Sequence, residues 1–191
     1  MANLFFDTET TGKADFNALP SASHQPDMVQ LGMILKDETR VYACIDLLVC
    51  PEVPVEPKAE EVHGISTVMA QRYGVPRRVA TAMFMNLMYK AECIVAHNID
   101  FDLRIMQTAM LREGISPEKL LAKSRFCTMK TSTDICQIPS PHKPGKFKWP
   151  TMQEAYKFLV DPNGFDGAHD AMADVTACSA VYYKILARQA A

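Results

Sequence analysis

The chain has 191 residues, 48% apolar and 22% charged, enough to bury one sizeable core and to fold as a single domain over 1–191. Lys and Arg number 20 against 22 Asp and Glu, a formal net charge of −2. That balance counts mildly against a protein that simply coats DNA, and leaves open an enzyme whose positive charge is brought by metal ions.

The first predicted strand is "NLFF" (3–6), cut short by Asp7 before it reaches the length of a signal peptide or membrane span; a cytoplasmic protein without a membrane partner is expected. "MVQLGMIL" (28–35) and "RVYACIDLLV" (40–49) read as two more strands, with "KDET" as the polar hairpin turn between them. "VPRRVATAMFMNLMYK" (75–90) and "IDFDLRIMQTAMLREG" (99–114) have helical length and few breakers, and "CIVAH" (93–97) between them is short, β-branched and strand-like. "QIPSPHKPGKFKWP" (137–150), rich in Pro and Lys, reads as an irregular surface loop. From Ala171 to about Ala187, Ala171, Val175, Cys178, Tyr182 and Ile185 fall at helical steps and form one apolar face. An antiparallel meander followed by strands alternating with helices predicts an α/β sheet flanked by helices. Cys44, Cys50, Cys93, Cys127, Cys136 and Cys178 show neither CxxC nor zinc-finger spacing, so reduced and mostly buried thiols are expected.

Three segments concentrate acids. In "FDTETTG" (6–12), Asp7 and Glu9 lie two apart, so on a strand they project from one face. Two adjacent carboxylates share a proton, share a divalent cation, or simply begin a solvated turn. In "HNIDFD" (97–102), Asn98 is placed as an N-cap, and Asp100 and Asp102 suit the first turn of a helix. Asp100 is read as no more than that. Asp102 stands where a strand parallel to the first would bring it beside Asp7. In "HDAMAD" (169–174), Asp174 belongs to the last helix; His169, five residues earlier, meets it only from the preceding loop, for which "NGFDGAHD" (163–170) has the glycines. A single His there also suits a cap or surface position. His97 is read as holding its loop. In "KPGKFKW" (143–149), three lysines interleave with Phe147 and Trp149, which suits either a nucleic-acid contact or a solvated loop anchored by a buried Trp149.

In that order along the chain, "FDTETTG", "HNIDFD" and "HDAMAD" resemble the three motifs of the DEDDh 3′-to-5′ exonucleases, the group that contains the proofreading subunit of bacterial replicative polymerases. "EVHGIS" (61–66) resembles the HGI stretch that this family carries between its first and second motifs. The resemblance implies a ribonuclease-H-like mixed sheet and a metal-dependent exonuclease releasing nucleoside 5′-monophosphates from a free 3′ end, with DNA favoured over RNA. It implies that Asp7, Glu9, Asp102 and Asp174 hold two Mg²⁺ or Mn²⁺ ions and that His169 is the general base. Thr8, Thr10, Val62, His63 and Phe101 match positions where the family holds the terminal nucleotide. It also admits an RNA-trimming enzyme, a polymerase or replication complex as partner, or a binding module without catalysis, against which the five filled positions argue. The chemistry is coherent, since two hard cations on oxygen ligands neutralise phosphate charge and activate water, while a histidine takes the proton.

Overall fold

The structure is a computed structural model and describes residues 1–190. The elements run β1 (Asn3–Thr10), β2 (Met28–Lys36), β3 (Val41–Cys50), α1 (Pro57–His63), α2 (Thr67–Tyr73), β4 (Val75–Pro76), α3 (Arg77–Lys90), β5 (Cys93–Ala96), α4 (Ile99–Arg112), α5 (Glu118–Leu121), β6 (Ser124–Cys127), α6 (Thr128–Cys136), α7 (Met152–Leu159) and α8 (Ala171–Gln189). One six-stranded sheet has the order β4-β3-β2-β1-β5-β6. β1, β2 and β3 form the antiparallel meander, while β5 lies parallel to β1 and β6 parallel to β5.

Alternation along β1 divides the core. Leu4 and Phe6 point to the face that α3 and α4 cover, where Leu31, Met33, Phe84, Met88, Leu103 and Met106 join them. Phe5 points to the other face and packs with Ile34, Val95, Val175, Cys178 and Tyr182 under α8. Two helical layers thus bury the two faces of a sheet whose central strands are apolar on both sides. Among the described residues no helix is long and apolar enough to cross a membrane.

Several boundaries differ from expectation. β1 does not stop at Phe6 but runs to Thr10, because β2 keeps pairing with it: Asp7 faces Gly32, Glu9 faces Gln30, and a bulge follows Glu9. The acidic pair therefore sits within the sheet, not in a turn beyond it. Val75 and Pro76 pair with Val49 and Cys50 instead of opening a helix, and α3 begins at Arg77; a residue preceding proline is driven toward extended backbone. The thiols are less buried than expected: all six are free, Cys136 and Cys178 are buried, and Cys44 is exposed. Trp149 is no buried anchor, being 63% exposed. The 137–150 segment is a loop as expected, closed by an isolated bridge between Pro139 and Phe147.

Gly32 explains how α8 reaches the sheet beside Asp7. A Cβ there would lie 2.7 Å from the carbonyl carbon and oxygen of Ala171 and 2.9 Å from the Met172 nitrogen, all backbone. Only a hydrogen at this position lets the first turn of α8 lie on β2. Gly32→Ala is expected to destabilise the fold by about 1–3 kcal/mol, the usual cost of overpacking, as measured by urea denaturation. Unchanged stability in that variant would show that α8 is not seated against this strand.

Candidate active site

Phe5, Asp7 and Glu9 share one face of β1, so the helix that covers Phe5 also passes its N-terminal turn over the two acids. The ring of Tyr182 meets that of Phe5 edge-on at 5.3 Å between centroids. Eleven residues, about three turns, back along α8 from Tyr182, the helix begins at Ala171. Asp174 lies in this first turn.

The start of α8 is fixed by side chains. Asp170 is its N-cap, with Oδ1 accepting from the Met172 and Ala173 backbone N–H groups at 3.1 and 3.0 Å. Gln30, buried opposite Glu9, donates through Nε2 to Asp46 at 2.9 Å and to Asp170 at 3.1 Å, and its Oε1 accepts from the Ala171 N–H at 3.2 Å. His169 precedes the cap in left-handed backbone, φ 69°. Its N–H donates to Asp174 Oδ2 at 2.8 Å. The five-residue offset that would separate 169 from 174 on a helix is thereby closed by a turn. Glu9, His169 and Asp174 each offer one ligand-type atom, all within 4.8 Å of one another.

Asp102 arrives from the other side. β5 runs parallel to β1 and ends at Ala96, and α4 starts just beyond its carboxyl end, which brings Asp102 alongside Thr8 in the last part of β1. Asn98 stands at the N-cap position but is left-handed (φ 65°) and makes no side-chain cap; the Phe101 N–H bonds to its carbonyl at 2.9 Å instead. The expected side-chain cap is thus corrected, because the left-handed turn itself starts the helix. Asp102 is 2% exposed, and its Oδ1 accepts from both the N–H and the hydroxyl of Thr8, at 3.0 and 2.8 Å. Asp100, as expected, stays at the surface, paired with Lys130.

The charges are poorly compensated. Burial, then the Asp102, Glu9 and Asp174 carboxylates, hold Asp7 well above the usual carboxylate range. Burial and the same neighbouring acids push Glu9 to about 8. Asp102 is raised by burial to about 7, with the two Thr8 bonds opposing the rise. Burial also raises Asp174, against the bond from the His169 N–H. Four acids with elevated pKa values in one cleft form a strongly proton- or cation-seeking group.

Two adjoining cavities surround it. One, of about 280 Å³, is lined by Asp7, Thr8, Glu9, Phe101, Asp102, His169 and Asp174, with His97, Asn98 and Met152. The second, of about 420 Å³, shares Glu9 and Phe101 and adds Thr10, Val62 and His63. All ten residues singled out in the sequence thus line one or both cavities. Thr8 and Thr10 are buried, however, with their hydroxyls bonded to Asp102 and to the Gly12 carbonyl. His63 accepts from the Ile65 N–H at Nδ1 and donates from Nε2 to the Thr10 carbonyl, so both ring nitrogens are committed. His97 does the same with Thr128 and the Pro150 carbonyl, and burial lowers it to about 4. The lining residues that sequence reasoning missed are Met152 in the first cavity and, in the second, Gly12, Lys13, Glu56, Lys58 and Ala59. Only the apolar spacing within 152–159 carried a signal, for the helix and not for the site.

A family model described as Exonuclease matches residues 4–182. No curated protein matches the chain by sequence. Three solved structures illustrate the likeness of fold: the zinc-bound complex of E. coli exonuclease I with single-stranded DNA (21% identity, TM-score 0.75), E. coli exonuclease I with a 5cy-dT13 oligonucleotide (22%, 0.76), and a product-bound exonuclease I (20%, 0.76). Each alignment covers 99% of this chain, which spans 41%, 41% and 44% of those longer chains. With the family match extending over most of its length and its three acidic segments meeting at one cleft, the chain belongs to the DEDDh group of the exonuclease family.

Proposed function

We propose that this chain, as a single domain over 1–191, is a metal-dependent 3′-to-5′ exonuclease that removes nucleoside 5′-monophosphates from DNA. The observation that carries the reading is the set of four buried or half-buried carboxylates, from β1, α4 and α8, without a cationic side chain bonded to any of them among the described residues. Hard oxygen donors in that number suit two Mg²⁺ or Mn²⁺ ions, held by Asp7, Glu9, Asp102 and Asp174. Bound there, such ions would neutralise the carboxylates and the nonbridging phosphate oxygens and make water more acidic.

The chain's own groups supply the rest. Among the three histidines of the cleft, His63 and His97 have no free ring nitrogen, so His169 is the imidazole that takes the proton of the attacking water. Its backbone bond to Asp174 holds the ring beside Glu9. Thr8 fixes the Asp102 carboxylate through two bonds. Phe101, between the two cavities, offers an aromatic face for the terminal base, with exposed Val62 opposite it in the larger cavity and Thr10 and His63 shaping the wall. Single-stranded DNA is favoured as substrate because structures of similar fold hold single-stranded DNA and short deoxyoligonucleotides.

Two measurements test this. With 5′-labelled DNA and RNA oligomers and Mg²⁺, the protein is expected to shorten DNA stepwise from the 3′ end, faster than RNA. His169→Ala is expected to lose roughly 10²–10⁴ in rate, and Asp7→Ala to show no release. Release undiminished in Asp7→Ala would sink the mechanism, and faster RNA cleavage would reassign the substrate.

The second is thermal. Glu9 has an ordinary value of 4.5 and a folded value of about 8. Below 4.5 it is protonated in both states and its contribution to stability is fully present; between 4.5 and 8 the unfolded chain releases the proton that the folded one retains, so that contribution falls progressively and is lost once pH passes 8. In chelator, Glu9→Gln is expected to melt close to wild type at pH 4 and well above it at pH 8. Mg²⁺ or Mn²⁺ at a hundred times its Kd contributes about 2.7 kcal/mol, which should raise the wild-type Tm by roughly 5–10 °C. No rise with either cation would remove the metal site.

A further inference from the structure

The lysine-rich segment of the sequence ends beside the cleft, where the Pro150 carbonyl that follows it bonds to His97. Residues 137–149 contain no acid but carry Lys143, Lys146 and Lys148, in a protein whose net charge is −2. They fold back on themselves: the Ser140 N–H bonds to the Lys146 carbonyl at 2.8 Å, and the Lys148 N–H to the Ile138 carbonyl at 2.9 Å. Lys148 is consumed by Glu154 at the head of α7, at 2.6 and 2.7 Å, which pins the hairpin to that helix. Lys143 and Lys146 are exposed and make no ion pair among the described residues.

The aromatic residues stand where a core would not put them. Trp149 is 63% exposed and Phe147 44%, although tryptophan is among the most buried residues on average. Phe147 sits in the isolated bridge to Pro139, and Trp149 follows it by two residues. The next residue, Pro150, is bonded through its carbonyl to His97 at 3.0 Å, and Met152 lines the cavity that contains Asp7 and His169. Three residues of chain place Trp149 within about 10 Å of Met152. An aromatic pair with unpaired lysines beside it offers stacking for bases and charge for phosphates, the combination that suits single-stranded nucleic acid.

We propose that the 137–149 hairpin is the platform for the single strand behind its 3′ end, with Trp149 stacking on a base and Lys143 and Lys146 holding phosphates. The proposal rests on the exonuclease reading of the cleft and names how that cleft grips its polymer. Trp149 is the only tryptophan of the chain, so its emission reports the contact directly. Titrated with a dT oligomer in chelator, to prevent hydrolysis, the protein should show Trp quenching that saturates with binding followed by anisotropy. An abasic oligomer of the same length should bind without quenching. Trp149→Ala is expected to weaken dT binding about tenfold, and the Lys143→Ala/Lys146→Ala double variant to lower the log–log salt slope by about 1.4. Both should keep the wild-type melting temperature, since the replaced side chains are exposed, and the wild type should hydrolyse the p-nitrophenyl ester of thymidine 5′-monophosphate in Mg²⁺. No binding, binding with unchanged emission, or full affinity in Trp149→Ala overturns the platform. Failure of the wild type to turn over both the ester and the oligomers overturns the catalytic reading instead.

Discussion

Repulsion among four carboxylates is the constraint around which this molecule is arranged. Left to relax, Asp7, Glu9, Asp102 and Asp174 would move apart into water, so the fold must hold them by groups that do not move. Asp7 and Glu9 are held because they lie inside β1, paired there with Gly32 and Gln30 of β2, beyond the point at which the pairing with β5 ends at Phe5. Asp102 is held by burial and by Thr8, and Asp174 by the first turn of a helix seated on Gly32. The apolar layers on the two faces of β1 are what make these attachments rigid: they stabilise the fold enough to carry a local electrostatic cost at its edge.

Asp27 shows that the chain compensates a buried carboxylate where compensation is wanted. It is 3% exposed and meets the guanidinium groups of Arg77 and Arg112 together with the backbone N–H groups of Glu52 and Val53. That cluster ties the long connection between β1 and β2 to α3 and α4. The acids of the cleft, on the same sheet, receive two bonds from Thr8 and one from the His169 N–H and no cation. The difference matches the proposed roles: Asp27 is a structural hub, whereas the cleft acids keep the lone pairs that a bound cation would need. Gln30 marks the boundary between the two, with its single amide satisfying Asp46, Asp170 and the Ala171 N–H beside Glu9.

How much of this was legible depended on whether a residue's role is local. The period-two spacing of Asp7 and Glu9, the parallel neighbour that brings Asp102, and the loop that must carry His169 could all be reasoned from the order of residues. So could the three long helices and the meander, whose hydrophobic patterns are strong. The true end of β1 could not, because it is set by pairing with residues 28–32, and charged residues in a strand read as its end. Asn98 has the side chain of a cap, yet its backbone is left-handed, a conformation its sequence merely permits. The exposure of Trp149 was undecidable in advance, since the same loop with the ring turned inward has the same sequence. The two threonines were assigned to the substrate by resemblance; that their hydroxyls face Asp102 and Gly12 is visible only once α4 and the 10–12 turn are in place.

The left-handed turn at His169 has a mechanical consequence. Because one residue supplies both an imidazole and, through its N–H, a bond to Asp174, the proposed base and a proposed ligand carboxylate form a single linked unit at the mouth of the helix. Swinging the ring away from the cleft by rotating the backbone also withdraws a donor from Asp174, whose charge is then less well held. In the proposed mechanism, proton acceptance and cation retention would therefore not be independent settings of this site: a motion that disarmed one would loosen the other, with the turn as a shared hinge pin for both.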